Sequence, residues 1–222
     1  HGSLKAVDKL LTRGLTFYNQ GEILTTNLEA DQNINKITVI ETAKLKGNNI
    51  INHGQLSGTN VELATSSLTN SNTIIAEGII SAQNTSLNNT GYIGSNQRII
   101  LNGSNMSNQG SMESNIIEMY NLAGYNNNGG SIRGTGVYIT TTGNIDLRGT
   151  LHGENDLRVN AYDIWHNDII TGKGYIELKG HDITNNVELA SGSIVVEGTG
   201  NIINNSIITG TNGNISGYNI IN

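Results

Sequence analysis

A period of 19 residues runs through this chain and restricts its possible folds more than any other feature. Asn52-His53-Gly54-Gln55-Leu56 has the shape N-x-G-x-apolar. The same shape returns at Asn89-Thr90-Gly91-Tyr92-Ile93, Asn108-Gln109-Gly110-Ser111-Met112 and Asn128-Gly129-Gly130-Ser131-Ile132. With looser matches the first position falls at residues 33, 52, 70, 89, 108, 128, 147, 166, 185 and 204, at steps of 19, 18, 19, 19, 20, 19, 19, 19 and 19. Self-similarity at a fixed step of this size is the mark of a repeat architecture, in which one small structural unit is stacked on the next.

The columns of the repeat say what each unit contains. The fifth position is Ile37, Leu56, Ile74, Ile93, Met112, Ile132, Leu151, Ile170, Leu189 and Ile208, large and apolar every time. The first position is Asn in eight of ten units, Leu147 and His166 being the exceptions. A second apolar column runs through Ile50, Leu68, Leu87, Met106, Ile145, Ile164, Ile183 and Ile202. Between the columns lie alternating triplets: Val61-Glu62-Leu63, Ile117-Glu118-Met119, Val137-Tyr138-Ile139, Leu157-Arg158-Val159 and Ile176-Glu177-Leu178. Alternation at period two belongs to a strand with one buried face.

Units of about 19 residues with several short strands are too short for a βαβ crossover, which needs a dozen or more residues between its strands. The arrangement that suits them is a coil whose turns pair in parallel, about 4.8 Å apart, so that ten turns span about 48 Å. The fold expected is therefore all-β, a parallel β-helix of about ten turns of 19 residues, its apolar columns stacked along a narrow core. Composition agrees. Gly (28) and Asn (35) together exceed a quarter of the 222 residues, while Pro is absent, as it should be where nearly every strand N–H is paired. The Asn column is expected at a corner, where each amide bonds its equivalents above and below. The Gly two places later is expected to supply positive φ for the bend.

Charge and composition narrow the function. A net charge of −6 argues against a nucleic-acid partner, which calls for a basic stripe. No apolar run approaches the roughly 20 residues of a membrane-spanning helix, so no membrane insertion is expected. Without Cys there is neither a disulfide nor a thiolate metal site. His1-Gly2-Ser3 reads as the remnant of a cloned affinity tag, no signal peptide is read, and the chain is taken as an excised fragment. Residues 4–32 fit the repeat poorly and read as an irregular segment or capping turn, with a short amphipathic helix over residues 4–15 as one alternative. Asn19-Gln20-Gly21-Glu22-Ile23 stands 14 residues before Asn33 and suggests a shortened turn. The repeats proper are assigned to residues 33–222.

The N-x-G-x-I anchors and their 19-residue step resemble the filamentous haemagglutinin repeats of bacterial exoproteins exported by two-partner secretion, a group that includes adhesins, haemolysins and contact-dependent growth-inhibition effectors. The resemblance covers roughly residues 15–222. It implies a right-handed coil, in line with the general handedness of parallel crossovers. It further implies secretion to the surface of a Gram-negative bacterium, export through an outer-membrane transporter, and a role in virulence or competition as a non-enzymatic stalk or receptor-binding segment. Its partner would be an outer-membrane or host-cell surface receptor, protein or glycan. The N-P-N motifs usual in the secretion domain of such proteins are missing from this Pro-free chain, which points to an internal piece of the filament or a receptor-binding region.

Candidate chemistry is sparse. Asp163 and Asp182 are 19 apart and stack in one column with Asn144 and Asn201. Two carboxylates could serve as acid and base in a β-helix polysaccharide lyase or hydrolase, or hold Ca²⁺. Since Asn shares the column, a turn position that favours Asx accounts for it without chemistry. The basic residues an acidic-glycan enzyme would want lie early, at Lys5, Lys9, Arg13, Lys36, Lys44 and Lys46. His53, His152, His166 and His181 are dispersed, and His166 is expected to replace one rung of the amide column. No zinc, hydrolase or phosphate-loop motif is present. The reading is of no enzyme, no cofactor and no metal. The binding candidates are the aromatics that flank Asp163, Tyr162 and Trp165, with Tyr138 and Tyr175 on outward strand positions.

Overall fold

Strand alternation and the 19-residue step together require equivalent residues to become lateral neighbours, and the architecture follows from that. A computed structural model describes residues 3–12, 22–30 and 34–222, and among these the chain is all strand and turn, with every strand pairing parallel. Leu56, Ile74, Ile93, Met112, Ile132, Leu151, Ile170, Leu189 and Ile208 stand opposite one another in sequence, nine rungs of one ladder. Ile145, Ile164, Ile183 and Ile202 pair the same way and are at most 1% exposed. The chain is a parallel β-solenoid.

Each turn has three sides. In one turn, Leu157 and Val159 point inward from the first side, Ile164 from the second and Ile170 from the third, all buried. Four apolar side chains per turn thus fill the axis, each contributing about 1.5–3 kcal/mol by leaving water. The residues between them, such as Glu118, Tyr138, Arg158 and Glu177, face outward from the first side. Among the described residues no helix is long and apolar enough to cross a membrane.

Two parts of the core differ from the sequence expectation. The second apolar column has a gap between Met106 and Ile145, and Tyr125 fills it, paired with both and 3% exposed. The amide column runs through Asn127 rather than Asn128: Asn127 is fully buried and pairs with Asn108, while Asn128 is exposed. The step of 20 residues from Met112 to Ile132 is the reason. Its extra residue is absorbed at the corner just after Asn127, where Gly129 takes φ 80°.

Gly129 is also the only described residue whose glycine conformation carries a positive φ, so the glycines of the N-x-G motifs do not serve the bend as expected. Space is what they provide. A Cβ on Gly110 would stand 2.0 Å from the Gly91 carbonyl oxygen of the turn below.

At the start of the chain, Ser3–Thr12 is a strand, not a helix. It pairs with Glu22–Ala30, Leu4 opposite Ile23, and that strand pairs with Ile34–Gly58, Ile23 opposite Ile37. The 14-residue step from Ile23 to Ile37 is the shortened turn that the early anchor suggested. His1, Gly2, Arg13, the Asn19-Gln20-Gly21 part of that anchor, and Asn33 lie outside the described residues.

Candidate functional site

The amide column is a structural device, built rung by rung. Asn52 Nδ2 donates to Asn70 Oδ1 at 2.7 Å, Asn70 to Asn89 at 2.8 Å, Asn89 to Asn108 at 2.8 Å and Asn108 to Asn127 at 2.9 Å. After the apolar rung Leu147, His166 bonds Asn185, which donates to Asn204 at 2.7 Å. Because Asn185 Oδ1 only accepts, His166 carries its proton on Nδ1. Burial pushes the His166 imidazole below its ordinary pKa, the bond to Asn185 partly opposing this. A second, exposed ladder runs beside the first: Asn186 donates to Asn167 and Asn205 to Asn186, both at 2.7 Å. The Asn185-Asn186 and Asn204-Asn205 doublets were its signal in the sequence.

Asp163 and Asp182 do share a column with Asn144 and Asn201, as the 19-residue step required. The Asp182 backbone N–H donates to Asp163 Oδ1 at 3.1 Å, and the Asn201 N–H to Asp182 Oδ1 at 2.6 Å. Each side-chain oxygen thus holds the backbone of the next turn, a task Asn performs equally well. The period did not reveal that His181 comes between them. Its ring stacks on Tyr162 with centroids 5.1 Å apart and planes 7° from parallel. Tyr162, Lys179, His181 and Glu197 line a shallow groove of about 570 Å³. Lys179 thus shares this groove with His181, a basic residue outside the early set.

Trp165 lies elsewhere. It stands between Asp146 and Thr184 on the second side of the coil and lines a different groove with Asn105, Asn144 and Asp146. Tyr162 and Trp165 are 55% and 38% exposed, so both are available, each lining its own groove. His53 and His152 bond the hydroxyls of Ser71 and Thr171, each at 2.7 Å. Burial and nearby Arg133 hold His152 below its usual pKa.

The densest outward constellation is on the first side, where the strand triplets place it. Arg158 grips Asp156 through Nε at 3.0 Å and Nη2 at 2.9 Å. Its guanidinium carbon lies 5.2 Å from the ring centre of Tyr175 and 6.0 Å from that of Tyr138. Tyr138 donates to Asp156 at 3.2 Å and Tyr175 to Glu177 at 2.7 Å, and Lys179 joins Glu177 to Glu197. Burial, then Asp156, raises the Tyr138 phenol, while the bond to Glu177 raises that of Tyr175. Exposed ion pairs of this kind are worth about 0–1 kcal/mol, so the cluster does little to hold the fold together. What it does provide is an outward cluster of two tyrosine rings around a guanidinium. Tyr138 and Tyr175 were visible as outward aromatics; Arg158, one rung from Tyr138, was visible only through the register.

No family model matches the chain, and no curated protein and no solved structure does either.

Proposed function

We propose that this chain is a non-enzymatic rod segment of an exported bacterial surface protein, of the filamentous haemagglutinin-like kind, and that the Tyr138, Arg158 and Tyr175 patch engages a receptor. The observation that carries this reading is the Arg158 guanidinium set against two outward tyrosine rings on a rigid ladder. Tyr and Arg are the residues most enriched at the centres of protein interfaces, and tyrosine faces also suit sugars. A core of side-chain ladders that runs from turn to turn supports the rod role: it holds the patch in register and carries distal parts of the protein away from the cell. Secretion to a Gram-negative surface, passage through an outer-membrane transporter, and a receptor on a bacterial or host-cell membrane belong to the same proposal.

Binding of the purified chain to outer-membrane extracts, host-cell surfaces and glycan arrays tests it. Saturable binding lost in Arg158→Ala combined with Tyr175→Ala is the expected result. No saturable binding to any of them would reduce the segment to a spacer.

A second reading, a polysaccharide lyase or hydrolase using Asp163 and Asp182, draws support from His181 beside them. Turnover of acidic or neutral glycans that disappears in Asp163→Ala and Asp182→Ala would reverse the ranking.

A further inference from the structure

We propose that Asp163, His181 and Asp182 form a binding site for a divalent first-row transition-metal ion, independent of the receptor reading. The ligand atoms of the three residues lie within 4.8 Å of one another. His181 Nδ1 lies 3.5 Å from Asp163 Oδ1 and 3.6 Å from Asp182 Oδ1, yet it is buried from solvent and makes a hydrogen bond to neither. An imidazole nitrogen turned away from water toward two carboxylates, with no bond to either, lacks a partner that all three can share.

The separations suit a small ion. Two ligands about 2.0–2.1 Å from a tetrahedral zinc lie about 3.4 Å apart, close to the two observed. The half-exposed Asp182 carboxylate can pivot about the oxygen held by the Asn201 N–H to close the remaining gap. An imidazole with two carboxylates selects zinc and its neighbours over calcium or magnesium, whose ligands are oxygens. A fourth position is left for water.

The surroundings hold the donors in place, as outer partners do around metal ligands. Stacking on Tyr162 fixes the plane of the His181 ring. The backbone N–H groups of Asp182 and Asn201 fix one oxygen of each aspartate. The chain also leaves room here: a Cβ on residue 200 would stand 2.3 Å from Asp182 Oδ1 and 3.1 Å from the His181 ring, and residue 200 is Gly.

Calorimetric titration of the full chain with zinc chloride is the test, followed by cobalt substitution read from its visible absorption. The variants are His181→Ala, Asp163→Asn and Asp182→Asn. Asn already occupies this column at Asn144 and Asn201 and can accept the same N–H, so the two Asn variants keep the fold, as circular dichroism would check. The expected result is one saturable zinc per chain, with affinity at least about 100-fold lower in each variant, above the 10- to 100-fold usual for outer-shell changes. His1 stays in every variant, so any zinc it holds cannot mimic the loss. Absence of a saturable site in the wild type would overturn the proposal. So would binding unchanged in the variants, or calcium bound as tightly as zinc and retained in His181→Ala.

Discussion

His166 takes the place of an asparagine in the buried amide column and gives its Nδ1 proton to Asn185 Oδ1, leaving Nε2 buried with no partner. A second proton would have to sit on that buried nitrogen, and burial outweighs the opposing bonds to Asn185 and the Asp168 backbone. Burial therefore holds the folded-state pKa below the ordinary 6.5 that the unfolded chain shows. The unfolded chain then binds the extra proton more readily, so stability from this residue is fully present above about pH 6.5 and falls as the pH drops through the depressed folded value. His166→Asn should remove that part of the acid sensitivity while leaving stability at pH 8 nearly unchanged. Denaturant melts of both proteins at pH 8 and pH 5 check it; equal losses on acidification would show that His166 is not the sensor.

The amide column offers a second test. Asn89 accepts from Asn70 and donates to Asn108, so Asn89→Ala leaves the Asn108 Oδ1 acceptor without its donor, while Asn70 Nδ2 keeps the carbonyls of Asn72 and Tyr92. At about 1–3 kcal/mol for a buried group left without a partner, the cost should be on the order of 1–3 kcal/mol. Asn72, at an exposed corner and bonded to His53, should tolerate the same change within about 0.5 kcal/mol, the usual range for surface positions. Urea melts of the two variants compare them directly.

Most of the fold could be read from the sequence because the coil turns one-dimensional spacing directly into lateral contact. Once Ile145, Ile164, Ile183 and Ile202 share a column, their burial follows. What escaped was set by departures from the step. The extra residue at the Asn128-Gly129 corner fits either side of Asn127, and only backbone geometry decides. Tyr125 was passed over because a phenol is an unexpected occupant of an aliphatic column. The Asp163 and Asp182 stack was legible as a 19-residue pair, but the stacking of Tyr162 on His181 depends on ring orientation at a corner, which no column encodes. The glycines were placed correctly and explained wrongly: close approach between turns leaves the same mark in a sequence as a positive φ.

Tyr125 carries a third prediction. Its ring fills the column, but its hydroxyl is buried without a hydrogen-bond partner, and burial raises the phenol's pKa far above its usual value. Tyr125→Phe keeps the ring and removes the stranded hydroxyl, so it should stabilise the coil by about 1 kcal/mol. Calorimetric melting temperatures decide: a lower value for the variant would mean the hydroxyl has a partner in solution.

Two glycines with opposite reasons for being glycine give the last prediction. Gly110 sits where a Cβ would approach the Gly91 carbonyl oxygen to 2.0 Å, far inside contact distance, and the obstacle is backbone already fixed in the turn below. Gly110→Ala must force the turns apart, at a cost of at least about 1–3 kcal/mol, the range for overpacked interiors. Gly129 has open space around it but a φ of 80°, so Gly129→Ala meets only the conformational penalty of the left-handed region, about 1–2 kcal/mol. Asn at 129 tolerates that conformation better than Ala and should recover part of the loss; Asn at 110, being larger than Ala, should do worse. Thermal melts of the four variants separate the two causes. If Asn rescued position 110 relative to Ala, backbone conformation rather than crowding would be limiting there.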